Sequence, residues 1–237
     1  MRTFVIVALC ASIALVINAC EDSTAPTEQG TLLVRTAIPT MVISQAMPDG
    51  SVQEPGEVDS IRITRVRALF SRIKLHGSTE DTSDIAGRVV KAGPVVLTWS
   101  NDTVTAAFAA PLPAGLYDRM KLELHKFTAS EAATYRTDTT FADFATDKDR
   151  VTLIIDGMSW SDDVATPFTL TSDRTENIWI SVRPPFEITA SSTTSVVIDT
   201  DLVDVFRMGG SLLHPSNSAV RTQLHTRLRT LLRLRTQ

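Results

Sequence analysis

From Thr31 onward the chain alternates apolar and polar residues with a period of two, and helical spacing is scarce. Thr31 to Thr36 (TLLVRT) opens a first strand. Val58 to Gly77 (VDSIRITRVRALFSRIKLHG) is longer: Ile61 and Ile63 share one face, after which Val66, Ala68 and Phe70 alternate in the opposite parity. A parity change inside a strand predicts a β-bulge or a bend between two sheets. Arg62, Arg65, Arg67, Arg72 and Lys74 give this strand a basic, solvated outer face. Arg88 to Trp99 reads as two short strands broken at Gly93-Pro94, and Thr103 to Ala110 as another. Tyr117 to Phe127 alternates most cleanly, with Met120, Leu122 and Leu124 on one side and Arg119, Lys121, Glu123 and His125 on the other. That is the pattern of a half-buried antiparallel strand.

Ala129 to Arg150 is polar and reads as loop with one helical turn. Alternation returns at Val151 to Asp156, Ile178 to Val182, Pro185 to Ile188 and Ser195 to Phe206. About nine strands at spacings of ~10–20 residues predict an all-β antiparallel β-sandwich, immunoglobulin- or transthyretin-like. No helix long enough for a βαβ crossover separates the strands, which argues against a parallel α/β sheet. The predicted division is 1–19 signal peptide, 20–30 lipidated cysteine and flexible tether, 31–210 sandwich, and 211–237 basic tail.

The N-terminus departs from this pattern. Arg2 precedes an apolar run from Phe4 to Ile17, followed by Asn18-Ala19-Cys20. A run of roughly 14 residues has the length of a signal-peptide core and is too short to span a bilayer as a helix. Ile17 to Cys20 resembles the lipobox of bacterial lipoproteins, in which a branched aliphatic, a variable position and a small residue precede the cysteine that is lipidated. The resemblance implies export, cleavage before Cys20, a diacylglyceryl group on its sulfur and acylation of the new N-terminus with palmitate-type chains. Each buried methylene adds about 0.8 kcal/mol, so two or more chains give stable anchoring. The alternatives are an ordinary secretory signal or a short N-terminal membrane helix. Glu21 to Gly30 (EDSTAPTEQG) is polar, carries Pro26 and has the composition of a flexible tether. The expected partner is thus a membrane, reached through lipid on Cys20, and the expected location is the bacterial cell envelope, at the outer membrane or periplasmic face.

Charge and cysteine content narrow the picture further. The chain has 23 Lys+Arg against 27 Asp+Glu, and losing the signal removes only Arg2. A mildly acidic balance gives no reason to expect nucleic acid as a partner. Of the 2 cysteines, Cys10 leaves with the signal and Cys20 carries lipid, so the mature domain can form no disulfide. From Ala219 to Gln237, Leu224, Leu228, Leu231 and Leu232 fall at helical spacing among Arg221, Arg227, Arg229, Arg233 and Arg235, without one acid. A basic amphipathic helix on an anionic membrane is one reading; a free tail, or a helix docked on the sandwich, is the other.

Leu112-Pro113-Ala114-Gly115-Leu116-Tyr117, entering the Met120, Leu122, Leu124 strand, resembles a recurring L-P-A-G-x-Y element of secreted bacterial β-sandwich proteins. Pro113 fixes φ, Gly115 permits a positive φ, and the tyrosine can pack over the turn. With Gly30 to Thr36, Ile61 to Gly77 and Ser195 to Asp204, the pattern resembles one uncharacterised lipoprotein family, a domain of unknown function. The resemblance implies a β-sandwich and a surface address, and brings no catalytic residues.

The candidate chemistry is sparse. Asp199 and Asp201 project from one face of a strand and are the candidate Ca²⁺ ligands, although no D-x-[DN]-x-[DN]-G loop accompanies them. The 4 histidines, His76, His125, His214 and His225, lack ligand spacing. No G-x-S-x-G occurs, and Gly209-Gly210 reads as a turn rather than a phosphate cradle. Trp99 and Trp160, beside short polar side chains, are the candidate sugar-stacking platforms, with core or rim packing as the competing role. Trp179, within Ile178-Trp179-Ile180, fits either face of its sheet. No cofactor is expected. The leading expectation is a non-enzymatic, lipid-anchored interaction or structural module with an envelope protein or glycan as partner. A carbohydrate-binding module and an envelope hydrolase with an unrecognised site are the alternatives.

Overall fold

The computed structural model describes residues 28–38, 42–45, 55–78, 88–100, 104–146 and 148–236. The expected signal peptide, Cys20 and the expected tether as far as residue 27 lie outside them. The predicted tether ends earlier than expected, because strand β1 (Gln29–Ala37) already includes Gln29 and Gly30. Then come β2 (Val42–Ser44), β3 (Ser60–Gly77), β4 (Arg88–Ser100), β5 (Thr105–Pro113) and β6 (Gly115–Leu124). Helix α1 (Ala129–Tyr135) leads to β7 (Leu153–Ser161), β8 (Val164–Ser172), β9 (Glu176–Ile188) and β10 (Thr193–Thr200). The short pair β11 (Arg207–Met208) and β12 (Ser211–Leu212), helix α2 (Ser218–Arg227) and β13 (Leu232–Thr236) complete the chain. The protein is all-β.

One sheet runs β13-β10-β1-β5, and the other β8-β7-β3-β6-β9 with β2 and β4 also on β3. Pairing is antiparallel except between β1 and β10, which run parallel from Thr31↔Thr193 to Ala37↔Asp199. A single apolar core takes side chains from both sheets: Leu32, Val34, Val196 and Ile198 from the first, and Ile73, Leu75, Met120, Leu122, Ile178 and Ile180 from the second. The alternation read at Met120, Leu122 and Leu124 holds, since all three are buried while Arg119 opposite is exposed.

Strand β3 organises the larger sheet. Its first half pairs with β7 (Ser60↔Trp160 to Ala68↔Leu153) and its second with β6 (Phe70↔Leu124 to Gly77↔Tyr117). Strands β2 and β4 occupy the opposite edge. The parity change expected after Ile63 is a bulge between Ile63 and Arg65, and a second bulge between Phe70 and Arg72 flips the parity back. Leu69 lies between them: its N–H donates to the Thr152 carbonyl at 2.8 Å and its own carbonyl accepts from His125 N–H at 3.3 Å. Residues between those two partners leave the sheet as α1 and a following 3-10 turn at Ala142–Phe144. A second apolar cluster of Leu69, Phe127, Ala132, Phe144, Ala145, Val151 and Ile154 seals the excursion. Helix α1 starts from a reciprocal cap: Thr128 N–H donates to Glu131 Oε2 at 2.7 Å, and Glu131 N–H donates to Thr128 Oγ1 at 3.3 Å.

Several expectations need correction. Arg88 to Trp99 is one strand, and Gly93-Pro94 forms a bulge inside it, Gly93 taking a φ of +81°. The two strands expected between Ile178 and Ile188 are one as well. Across from β6 the register jumps from Tyr117↔Phe186 to Arg119↔Ser181, so Val182 to Pro185 form a bulge opposite Asp118. The 211–237 tail is part of the folded body. Helix α2 and its continuation bury Val220, Leu224 and Leu228 in the main core, and β13 extends the smaller sheet by pairing with β10. The arginines that lacked local acids find distant ones: Arg227–Asp204 at 3.0 Å, Arg229–Glu176 at 3.0 Å and Arg235–Asp199 at 2.7 Å. The apolar residues Val220 and Leu224 of α2 thus face the core.

Truncating a buried leucine to alanine costs about 2–5 kcal/mol. Leu224→Ala should therefore lower the urea midpoint of the whole domain by an amount in that range. An unchanged midpoint would mean that the helix is not packed as described.

Candidate functional site

Alternation in β3, β6 and β9 sends every second side chain away from the core onto one open sheet face. Across it run Lys74, Lys121 and Trp179 in one row, and His76, Arg119 and Ser181 in the next. Because Ile178 and Ile180 are buried, Trp179 points outward, and 49% of its surface is exposed. Its ring centroid lies 4.9 Å from that of His76, although β6 separates their strands. Both side chains must reach over β6 to meet, so the indole lies along the sheet rather than standing off it. Lys121 Nζ sits 5.7 Å from the indole centroid, a cation–π contact worth about 0.5–1 kcal/mol at an exposed site.

Charge around the indole is mostly positive. Lys121 Nζ donates to Glu123 at 2.9 Å, Arg72 stands 3.9 Å from the same carboxylate, and Arg119 donates to Asp118 at 3.1 Å. Burial pushes the Glu123 carboxyl upward, but the hydrogen bond and charge of Lys121, with Arg72 and Lys74, outweigh it and hold the group below the usual range. Burial, then the charges of Arg119, Lys74 and Lys121, hold His76 below the ordinary histidine value against the weaker pull of Asp118. That shift favours the neutral imidazole, and its buried Nε2 has no hydrogen-bond partner among the described residues. One residue pair along β9, roughly 7 Å away at strand rise, the bulge at Val182 to Pro185 opens a cleft of about 580 Å³. Ser78, Asp118, Arg119 and Ser181 line it with polar groups. The bulge also contains the cis Arg183-Pro184 bond.

The residues expected to form a site fare differently. Trp99 is fully buried and donates its indole N–H to the Ile198 carbonyl at 2.7 Å, so it is a core residue joining the two sheets and no platform. Trp160 is half-buried at the β7–β8 hairpin, where it lines a shallow depression of about 290 Å³ with Val42, Asp59, Arg62 and Asp163. The expected Ca²⁺ pair faces cations: Asp199 pairs with Arg235, and Asp201 with Arg233 at 3.2 Å. A guanidinium on each carboxylate supplies the positive charge a cation would bring. Among the described residues no group of three His, Cys, Asp or Glu is arranged to hold a metal. Ser159 Oγ lies 3.5 Å from His214 Nε2, but that hydroxyl is buried and bonded to the Thr166 carbonyl, while His214 Nδ1 meets Ser216 rather than a carboxylate. Cys20 lies outside the described residues. Trp179 was the residue sequence reasoning left unplaced, and its flanking isoleucines were the available signal.

No protein-family model matches this chain, and neither a curated protein nor a solved structure does.

Two measurements check this geometry. Of the three indoles, Trp179 should account for most of the fluorescence that iodide quenches, so Trp179→Phe should remove that component and leave the Trp99 emission protected. The His76 imidazole should titrate by NMR below the ordinary histidine range, and Arg119→Ala should move its midpoint up. A midpoint indifferent to Arg119 would contradict the electrostatic account.

Proposed function

We propose that this chain is a lipid-anchored binding module of the bacterial cell envelope, without catalytic activity, held to a membrane through Cys20 and contacting its ligand through the Trp179 face. The anchor rests on the lipobox-like Ile17-Asn18-Ala19-Cys20 and the polar segment behind it. The eight residues between Cys20 and the start of β1 at Gln29 span about 30 Å at most, which in this reading keeps the domain beside the membrane. The two-sheet body belongs in this reading to the immunoglobulin- or transthyretin-like sandwiches, and the L-P-A-G-x-Y element groups it with the uncharacterised lipoprotein family named above.

One observation carries the binding role: a large aromatic ring lies half-exposed on an open sheet face, flanked by charged side chains, with a cleft one residue pair further along β9. A residue needed only for packing would gain about twice as much from full burial as from this half-exposed position. A sheet face that presents a rigid ring among hydrogen-bonding groups is suited to binding a polar ligand with a flat apolar side.

Cys20→Ser tests the anchor. The wild-type protein should partition into the detergent phase and the variant into the aqueous phase, with lipoprotein-specific processing blocked. Equal partitioning of the two would remove the lipid from this reading.

A further inference from the structure

We infer that the Trp179 face binds an acidic saccharide, its pyranose ring stacked on the indole and its anionic group held by the surrounding cations. This rests on the binding-module reading and names the ligand class of the same site.

The indole is already in place to stack. His76 and Lys121 both contact it and limit its movement along the sheet. A ring held flat loses little freedom when a second flat body settles on it, which is the way preorganisation raises affinity. The C–H face of a pyranose is such a body, apolar in the middle and ringed by hydroxyls. Hydroxyls need partners, and the cleft next along β9 offers Ser181 and the Asp118 carboxylate. Its volume of about 580 Å³ falls within the range of small-ligand sites.

Charge selects among sugars. Arg72, Lys74, Arg119, Lys121 and Arg183 gather on or beside this face, against Asp118 and Glu123. Those two carboxylates are answered by Arg119, Lys121 and Arg72. Lys74 and Arg183 have no ion pair among the described residues, so positive charge remains over. In a chain with a formal net charge of −4 this is a local reversal of sign. A neutral sugar would leave it unused, whereas a carboxylate or sulfate on the ring would meet it.

Other ligands fit less well. A protein hot spot is built around a desolvated apolar centre, but the neighbours of Trp179 in the strand register are Lys121, Asn177 and Ser181. Single-stranded nucleic acid wants successive aromatic platforms along a basic groove, and Trp179 is the one large exposed aromatic among the described residues.

The test uses the full-length lipoprotein in detergent micelles and titrates four probes by calorimetry: tetragalacturonate, its methyl ester, inorganic polyphosphate and a single-stranded oligonucleotide. A panel of sulfated and neutral oligosaccharides is screened alongside. An acidic sugar should bind, with the methyl ester and the polyphosphate at least tenfold weaker. Trp179→Ala should weaken binding at least tenfold with its thermal midpoint unchanged, and Trp179→Phe should restore most of it. Lys74→Ala with Arg183→Ala should weaken binding several-fold and flatten its salt dependence. Equal affinity for acid and ester would overturn the charge requirement, and preference for polyphosphate or oligonucleotide would overturn the sugar. If no saccharide binds, the inference falls. A photo-crosslinking amino acid at position 179 in intact cells then separates the two levels. Cross-links to a protein would leave the binding module standing with a different ligand, and no cross-link at all would remove the module as well.

Discussion

A strand has two edges, and β3 must serve four neighbours with them. Strands β2 and β4 share one edge; β7 and β6 share the other, dividing it at Leu69. The division works because Leu69 gives its N–H to the segment entering β7 and its carbonyl to the segment leaving β6, so neither backbone group is orphaned. Between those two hydrogen bonds the chain is free to depart, and α1 with its aromatic cluster fills the interval. The bulges on either side of Leu69 are the geometric counterpart of the fork. Between them the strand turns its odd residues outward, which puts Leu69 under the excursion while Val66, Ala68 and Phe70 stay in the main core. Gly157 accommodates the first bulge, because a Cβ there would run into the Arg62 carbonyl and the Phe168 ring.

The second bulge restores the parity and thereby creates the site. From Arg72 onward the even residues of β3 face solvent, so Lys74 and His76 line up with Lys121, Arg119 and Trp179. Without that flip His76 would face the core and Leu75 the solvent, and the indole would have no ring to rest against. The path to the smaller sheet is set at the opposite end. The chain crosses between sheets at Pro113 to Gly115, with Gly115 at a φ of +150° and the Tyr117 hydroxyl donating to the Pro113 carbonyl at 2.9 Å. It crosses again at Ile188 to Thr193, where Gly30 admits the Thr189 carbonyl and the Ile188 side chain into space a Cβ would occupy. Trp99 ties the sheets together through their interior.

How much of this could be read from the sequence follows from what each signal depends on. Period-two alternation is local, so β1, β3 and β6 were legible, and so was the first bulge. The L-P-A-G-L-Y turn was legible for the same reason, since proline, glycine and tyrosine act on their own neighbourhood. Strand β8 (VATPFTLTS) was missed because it is polar and carries Pro167, a residue tolerated there as it lies at the sheet edge. Gly93-Pro94 and Arg183-Pro184 read as breaks, whereas partners on β3 and β6 carry the strand past them as bulges. The C-terminal arginines looked unopposed because their acids lie far away in sequence, as with Arg235 and Asp199. Trp99 and Trp160 misled by their polar sequence neighbours: what decides an indole's exposure is the parity of its strand, and for Trp99 that parity points inward.

The same reasoning explains why the cations around Trp179 stay on the surface instead of being cancelled. Along the first half of β3 acids answer two of the outward arginines: Arg65 meets Asp156 at 3.0 Å, and Arg67 meets Asp143 and Asp156, while Arg62 has no ion pair among the described residues. Those acids come from β7 and from the excursion after α1. The second half borders β6 and β9 instead, whose outward positions are Arg119, Lys121, Asn177, Trp179 and Ser181, with Glu123 as the acid shared by Arg72 and Lys121. Positive charge therefore accumulates where β3 changes partners, in a chain that is acidic as a whole. Exposed like charges a few ångströms apart repel one another at a cost of tenths of a kcal/mol to about 1 kcal/mol in water, and burial, with that field added, holds His76 below the ordinary histidine value. An anion laid over the indole would relieve the repulsion that the strand order builds in, so the fork at Leu69 and the sign of the site have one origin.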